Sequence, residues 1–246
     1  MLRAILSDVH ANREALEACL AHARSKGATG YAFLGDLVGY GADASAVVER
    51  VMQLAAEGAV ALKGNHDAAI EKRDSYFNHD AHASLDWAAK TLSDTQKRFL
   101  ASLPLVAETK PACFVHASVR APAKWTYVDS PGAAESCTKA AIAAVTFCGH
   151  VHDQKLYFGK PSGHMTAFTP VPGVNIPVRG QRRWVAIVGS VGQPRDRNPA
   201  AAYALFDDEA REVTFYRVPY DHLAAARKVR EAGLPGSLAW RIEAGI

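Results

Sequence analysis

The sequence has no apolar run near the roughly 18 residues that a bilayer-spanning helix needs, and its leading segment Met1–Ser7 is too short for a signal-peptide core. A cytoplasmic location with no membrane partner is therefore expected. Cysteine is scarce: Cys19, Cys113, Cys137 and Cys148 are the only four, and no two form a CxxC pair. That argues against a zinc knuckle or a disulfide framework and fits reduced, buried thiols. Charge of one sign never accumulates, because the net charge is only +3 and no run of five like charges occurs. Nothing in that balance indicates a polyanionic partner, so nucleic acid is not expected as one. Internal repeats and low-complexity stretches are also missing.

What is present is ordinary globular material. Hydrophobic residues make up 49% and charged residues 22%, which suits a chain that buries a sizeable core. At about 150 residues per domain, 246 residues allow one large α/β domain or two small ones. No shift in composition requires a boundary, and a single domain over residues 1–246 is expected.

The first half alternates short apolar runs with helical spacing. Leu2–Leu6, Tyr31–Leu34 and Ala59–Leu62 read as strands, and Asn12–Ala23 and Ser45–Ala56 as helices between them. This rhythm predicts neighbouring strands of one mainly parallel sheet. Residues 80–102 read as an inserted helical pair with Ser93 as the N-cap of the second helix. Strands follow at Ala112–Val115 and Ala144–Phe147, with helical Ala133–Ala141 between them. After residue 153 come short runs separated by Gly, Pro and Asp, which predict antiparallel strands of a second sheet, and then an amphipathic helix over 221–231. The expected fold is α/β, a four-layer αββα sandwich of two mixed β-sheets flanked by helices.

Polar residues fall at the ends of these strands. Asp8-Val9-His10 follows the first, Gly35-Asp36 the second, Gly64-Asn65-His66-Asp67 the third, His116 the fourth and Gly149-His150-Val151-His152 the fifth. Each piece alone has a plain explanation. Asp8 could cap a helix, Gly35-Asp36 and Gly64-Asn65 could be turns, and His116 could be a bonded core residue. His150 and His152 are more specific, since residues i and i+2 of an extended end point the same way. Taken together, the five strand ends would converge on one crevice, where open α/β sheets bind their ligands. Two carboxylates, one amide oxygen and four imidazoles are too many for one tetrahedral ion and match two ions of five or six coordination. The lack of thiolates and the imidazole count favour transition metals over Mg or Ca. We expect two divalent transition-metal ions per chain, manganese first and Fe, Zn, Ni or Co as alternatives. The positive charge of such a centre suits an anionic ester, with phosphate the natural group.

This ordered set resembles the calcineurin-like metallophosphoesterase superfamily, and Gly189–Asp196 resembles a segment of its small prokaryotic, phosphodiesterase-like branch. The resemblance implies one metal on Asp8, His10, Asp36 and His152 and a second on Asp36, Asn65, His116 and His150, with Asp36 bridging. It also implies that His66 is not a ligand but the catalytic acid or charge stabiliser at the scissile phosphate, while a hydroxide between the metals attacks phosphorus in line. A His near its ordinary pKa can protonate an alkoxide leaving group at neutral pH.

Departures from the family narrow the reading. Gly39 and Tyr40 stand where the protein serine/threonine phosphatase branch resembles an Asp-Arg pair, so what orients His66 is open, with Asp67 a candidate. Asn12 is expected as an N-cap that also supports the site, and Arg195 as a contact to substrate phosphate. His22, His79, His82, His164 and His222 fall outside the motifs, and packing is expected for Trp125 and Tyr127. The activity expected is hydrolysis of a small phosphodiester or nucleotide, with diesters ahead of monoesters. The alternative is a metal- or nucleotide-binding regulatory protein with little catalysis, and a nuclease ranks behind both. Selectivity is assigned to loops near 72–80, 118–132 and 159–200, and the oligomeric state stays open.

Overall fold

The computed structural model describes residues 1–72, 77–161 and 163–246. The first half runs β1 (Leu2–Leu6), α1 (Arg13–Ser25), β2 (Gly30–Phe33), α2 (Ala44–Ala56), β3 (Val60–Ala61) and α3 (Asn65–Glu71). The inserted pair is α4 (His79–Thr91) and α5 (Asp94–Ser102), followed by β4 (Val106–Thr109), β5 (Ala112–Val115), α6 (Pro131–Ala140) and β6 (Val145–Cys148). The rest comprises β7 (Gln154–Gly159), β8 (Met165–Phe168), β9 (Asn175–Pro177), β10 (Arg183–Val188), β11 (Ala201–Asp207), β12 (Glu212–Val218), α7 (His222–Glu231) and α8 (Gly236–Ala244).

Alternation along β1 shows how the layers are built. Ala4 and Leu6 face the core beneath α1 and α2, with Leu16, Leu20, Val47 and Val51, whereas Ile5 points the other way into the space between the sheets. There it meets Leu34, Phe114, Phe147, Val188 and Phe206. Along β10, Val185 and Ile187 pack with Ala134 and Cys137 of α6, while Trp184, Ala186 and Val188 face the inter-sheet core. Each fully buried aliphatic side chain of this kind contributes about 1.5–3 kcal/mol relative to exposure. The layers are therefore helix, sheet, sheet, helix, and both sheets are mixed.

The sheet orders are β3-β2-β1-β11-β12-β9 and β4-β5-β6-β10-β7-β8. Strands β1, β2 and β3 run parallel, as do β5, β6 and β10, and the remaining ladders are antiparallel. This corrects the expected division of the chain. The strands after residue 153 do not form a sheet of their own: β7, β8 and β10 join β4 to β6, while β9, β11 and β12 extend the sheet of β1. Strands β5 and β6 belong to the second sheet, parallel to each other and to β10. The reason is non-local, since β11 is buried almost throughout and lies centrally between β1 and β12. A run that is apolar on both faces marks a central strand without naming its neighbour.

Helix ends follow local chemistry. Asn12 caps α1 through Ala15 N–H at 3.1 Å, and Ser93 and Gln96 form a capping box on α5. Four elements were not legible in the pattern: β4, β9, α3, which begins inside the Gly64–Asp67 motif, and α8. All four cysteines are buried and unpaired, as expected. Among the described residues, no helix is long and apolar enough to cross a membrane.

Candidate metal centre

The ends of β1, β2 and β3 from one sheet meet those of β5 and β6 from the other, and each chain turns sharply there. Asp8, His10, Asp36, His150 and His152 all have positive φ, between 48° and 73°. Five side chains other than glycine in this sparsely populated region form a cluster of strain of the kind found at functional sites. The crossing of the two sheets leaves no room beside Gly149, where a Cβ would overlap the Ser7 hydroxyl and the Asp8 carboxylate. Here the His150 N–H donates to Asp8 Oδ2 at 2.9 Å, and the His66 N–H donates to Asp36 Oδ1 at 2.8 Å. Each aspartate thus has one oxygen fixed by backbone and the other directed into the cluster.

The histidines are oriented in the same manner. His10 Nδ1 lies 3.1 Å from Val38 O, His116 Nδ1 3.1 Å from Leu34 O and His152 Nδ1 2.6 Å from Gln193 O. A carbonyl only accepts, so each Nδ1 carries the proton and each Nε2 turns a lone pair inward. These acceptors crowd together. His10 Nε2 is 3.3 Å from His152 Nε2, and His116 Nε2 is 3.1 Å from both Asn65 Oδ1 and His150 Nδ1. Asp8 Oδ1 lies 3.2 Å from His152 Nε2, and Asp36 Oδ2 lies 3.4 Å from His116 Nε2 and 3.8 Å from His10 Nε2.

None of these seven residues exceeds 6% exposure. Buried lone pairs facing lone pairs repel unless a cation lies between them. Asp8 Oδ1 and His150 Nε2 have no hydrogen-bond partner among the described residues. The protein alone already draws in positive charge: burial works to lower His116, but Asp36 beside it prevails and pushes it up to about 9. Burial raises Asp36 less than the neighbouring imidazolium charges lower it, and Asp8 is held low in the same way by His152. Burial, then His116, drives His150 down to about 3.

Three groups of ligand atoms lie within 4.8 Å of one another: Asp8 with His10 and His152, Asp36 with His116 and His150, and His10 with Asp36 and His66. Asp36 reaches both halves, and Asn65 Oδ1 joins the His116 side. Nitrogen and carboxylate donors without thiolate, arranged in two overlapping sets, fit divalent transition metals.

His66 stands at the edge of this cluster and lines a cleft of about 290 Å³. It is held by packing. Its ring lies 4.8 Å from that of His10, 4.6 Å from Tyr40 and 4.8 Å from Phe77. Gly39 lies beneath it with φ +87°, and a Cβ there would overlap His66 Nδ1, an atom with no hydrogen-bond partner among the described residues. Asp67 makes no hydrogen bond to His66 Nδ1. Its carboxylate accepts from the N–H groups of Asp36 at 2.8 Å and of Leu37 and Gly64 at 2.9 Å, which fixes the loop after β2. Burial and the Asp36 charge raise its pKa in spite of those bonds.

Asn12 caps α1 and also donates to Gly192 O at 2.9 Å and Tyr220 Oη at 3.0 Å, steadying a loop whose Gly192 N–H bonds Asp8 O. Arg195 lines the cleft, as do Phe77 and Asn78 from the 72–80 loop and Tyr127 from the 118–132 loop. Within the first of these loops, residues 73–76 lie outside the described residues. Tyr127 stacks on the His150 ring at 4.1 Å, and Trp125 meets His116 edge-on at 5.9 Å, so both pack on the cluster itself. None of His22, His79, His82, His164 and His222 lines the cleft. Sequence reasoning did not single out Arg241, which lines the cleft from α8; a lone arginine in a terminal helix carries no motif.

Comparison with known proteins agrees with this geometry. The profile of the calcineurin-like phosphoesterase superfamily domain matches residues 1–211. An uncharacterized protein of Methanocaldococcus jannaschii is 31% identical over 98% of this chain and 97% of its own length. Among solved structures, a metallophosphoesterase from Sphaerobacter thermophilus is 35% identical with a TM-score of 0.89, covering 100% of this chain and 99% of that one. A hypothetical protein from Pyrococcus horikoshii shares the fold at 20% identity and a TM-score of 0.79, covering 100% and 98%. With strand-end motifs, a converging donor set and a profile matched over most of its length, this chain belongs to the calcineurin-like phosphoesterase superfamily.

Proposed function

We propose that the chain is a dinuclear metal-dependent phosphoesterase that hydrolyses a small phosphodiester or nucleotide-type substrate. The observation that carries this reading is the convergence of buried lone pairs from Asp8, His10, Asp36, Asn65, His116, His150 and His152, with every hydrogen-bonded Nδ1–H of His10, His116 and His152 turned outward. Asp8, His10, Asp36 and His152 would hold one ion and Asp36, Asn65, His116 and His150 the other. Two such ions supply Lewis acidity and a nucleophile at neutral pH, manganese being the first candidate.

The remaining work falls to the chain. His66 faces the cleft beside the metal cluster and serves the leaving oxygen. Burial lowers its pKa to about 4, so the ring is neutral in the free protein near pH 7, and an anionic ester seated next to it favours its N–H donation and then its protonated form. Arg195 binds substrate phosphate with its planar fork. Gly39 and Tyr40 stand where the protein serine/threonine phosphatase branch has an Asp-Arg pair, so a phosphoprotein substrate is not part of this reading.

Metal analysis coupled to hydrolysis of an aryl phosphodiester and an aryl monoester tests this reading. About two ions per chain with chelator-sensitive cleavage, faster for the diester, is expected. Two ions with cleavage of neither ester would favour a metal- or nucleotide-binding regulatory role, and no loading by any divalent metal would remove the site.

A further inference from the structure

The cleft has a second charged wall, Arg195 and Arg241, neither of which is ion-paired among the described residues. Arg195 follows β10, whose carboxyl end lies on the same rim as that of β6 because the two strands are parallel. Its Nη2 donates to Gln193 Oε1 at 3.1 Å, and the main-chain oxygen of that same Gln193 accepts from His152 Nδ1 at 2.6 Å. One residue thus sets both a metal-side imidazole and the arginine in register. Arg195 Nε is buried and has no partner among the described residues.

Arg241 comes from α8, beyond the span matched by the superfamily profile. Its Nε donates to the main-chain oxygen of Ile246 at 2.9 Å, and no bond among the described residues engages its Nη nitrogens. The end of α8 is tied to the Arg195 loop, since the Arg197 N–H donates to Gly245 O at 2.7 Å. Tyr40 lines the same cleft, its ring 4.6 Å from that of His66. Burial raises its phenol, and the nearby charges of Arg195 and Arg241 oppose the rise. Arg195 and Arg241 line the same cleft, and burial first, then the Arg195 charge, lowers the pKa of Arg241 against the opposing pull of Tyr40 and Asp80.

Of the nearby acids, Asp196 is bound by Arg217 and Glu243 takes a two-pronged bond from Arg230 at 2.7 and 2.8 Å, whereas Asp80, which accepts from the Ser237 hydroxyl, acts on Arg241 only from beyond ion-pair distance. No Asp or Glu side chain lies within ion-pair distance of Arg195 or Arg241 among the described residues. Two forked cations facing one cleft, neither ion-paired among the described residues, form a receptor for a multiply charged oxyanion.

Resting on the phosphoesterase reading, we infer that Arg195, Arg241 and the Tyr40 hydroxyl form a subsite for a second phosphoryl group, and that the substrate is a phosphoanhydride-bearing ester of the nucleoside diphosphate kind. The metals take the scissile phosphoryl group, and the arginines take its neighbour.

The test is calorimetric titration of the metal-loaded protein with AMP and with the α,β-methylene analogue of ADP, which adds one phosphoryl group. The wild-type protein binds the analogue about tenfold or more tightly than AMP, as a charge-assisted contact predicts. Arg195→Gln and Arg241→Gln each bring that ratio to within about twofold, and Arg241→Lys keeps most of it. Circular dichroism accompanies each variant. Should Arg241→Gln fail to fold, Arg195→Gln decides, since it lies off α8 and does not touch the Ile246 bond. An undiminished ratio in Arg195→Gln, or in folded Arg241→Gln, overturns the subsite. Ester cleavage with a wild-type ratio near one removes the subsite and leaves the phosphoesterase reading standing. A ratio that depends on both arginines without cleavage of any ester keeps the subsite and removes the hydrolytic reading.

Discussion

The two walls of the cleft are built by different means. The metal wall rests on strand ends from both sheets, is almost wholly buried, and has its side chains fixed by main-chain carbonyls and N–H groups. The arginine wall rests on one loop and one terminal helix, is half-buried, and is fixed by side-chain and chain-end contacts. Strand ends locked between two packed sheets place atoms to within the tolerance that shared ligands need, and a helix docked on the outside does not have to. On the proposed function, chemistry falls to the rigid wall and selectivity to the adaptable one.

The largest effect expected is on the metal wall. Asp36→Ala removes the oxygen that reaches both His116 and His10, so both ions are lost and hydrolysis falls to background. Elemental analysis checks this directly, and an unchanged two-metal stoichiometry would falsify the bridging role of Asp36. His66→Ala comes next. Metal content stays intact while turnover falls about 10²- to 10⁴-fold, the usual range for a general acid. Full turnover with leaving groups of high pKa would remove that assignment, since those esters need the acid most.

How much of this was readable depends on what kind of signal each residue leaves. The convergence of the seven candidate ligands was legible because strand ends meet by the rules of sheet topology, and ligand-type residues there form an ordered set. Asn12 and Ser93 were legible because capping is local chemistry, and both bonds are present. Sheet membership after residue 153 was not legible, because the partner of β11 is a strand nearly 200 residues earlier. The orientation of His66 was not legible either. Asp67 is next in sequence, yet its carboxylate serves the β2 loop, and the ring is held by Gly39, Tyr40 and Phe77. Arg241 left no signal, since only the docking of α8 brings it to the cleft.

That difference suggests a milder test of the rigid wall. Gly39→Ala puts a Cβ onto His66 Nδ1 at a residue whose φ is +87°, so the ring must shift and the backbone is strained. The strain costs about 1–2 kcal/mol. Metal content is unchanged, the thermal midpoint drops, and turnover falls by roughly tenfold because His66 is displaced without being removed. If Gly39→Ala retained wild-type turnover, packing against Gly39 would not be what sets the His66 ring.

The smallest effect belongs where the two walls join. Asn12 lies under the loop that carries Gly192, Gln193 and Arg195, and it also caps α1. Asn12→Ala removes the cap, at about 1 kcal/mol of stability. It also frees the Gly192 carbonyl and the Tyr220 hydroxyl, while the Gly192 N–H to Asp8 bond and the His152 to Gln193 bond remain. Two consequences follow for the comparison of the walls. Metal stoichiometry should be unchanged, because no ligand loses its anchor, while KM rises a few-fold with little change in kcat, because Arg195 hangs from the loosened loop. Asn12→Ser keeps a capping oxygen but not the amide that reaches Gly192 and Tyr220, so it should restore most of the cap's stability without restoring KM. A variant that lost metal while KM held would place Asn12 with the rigid wall instead, and the division between the walls would have to be drawn beyond Gln193.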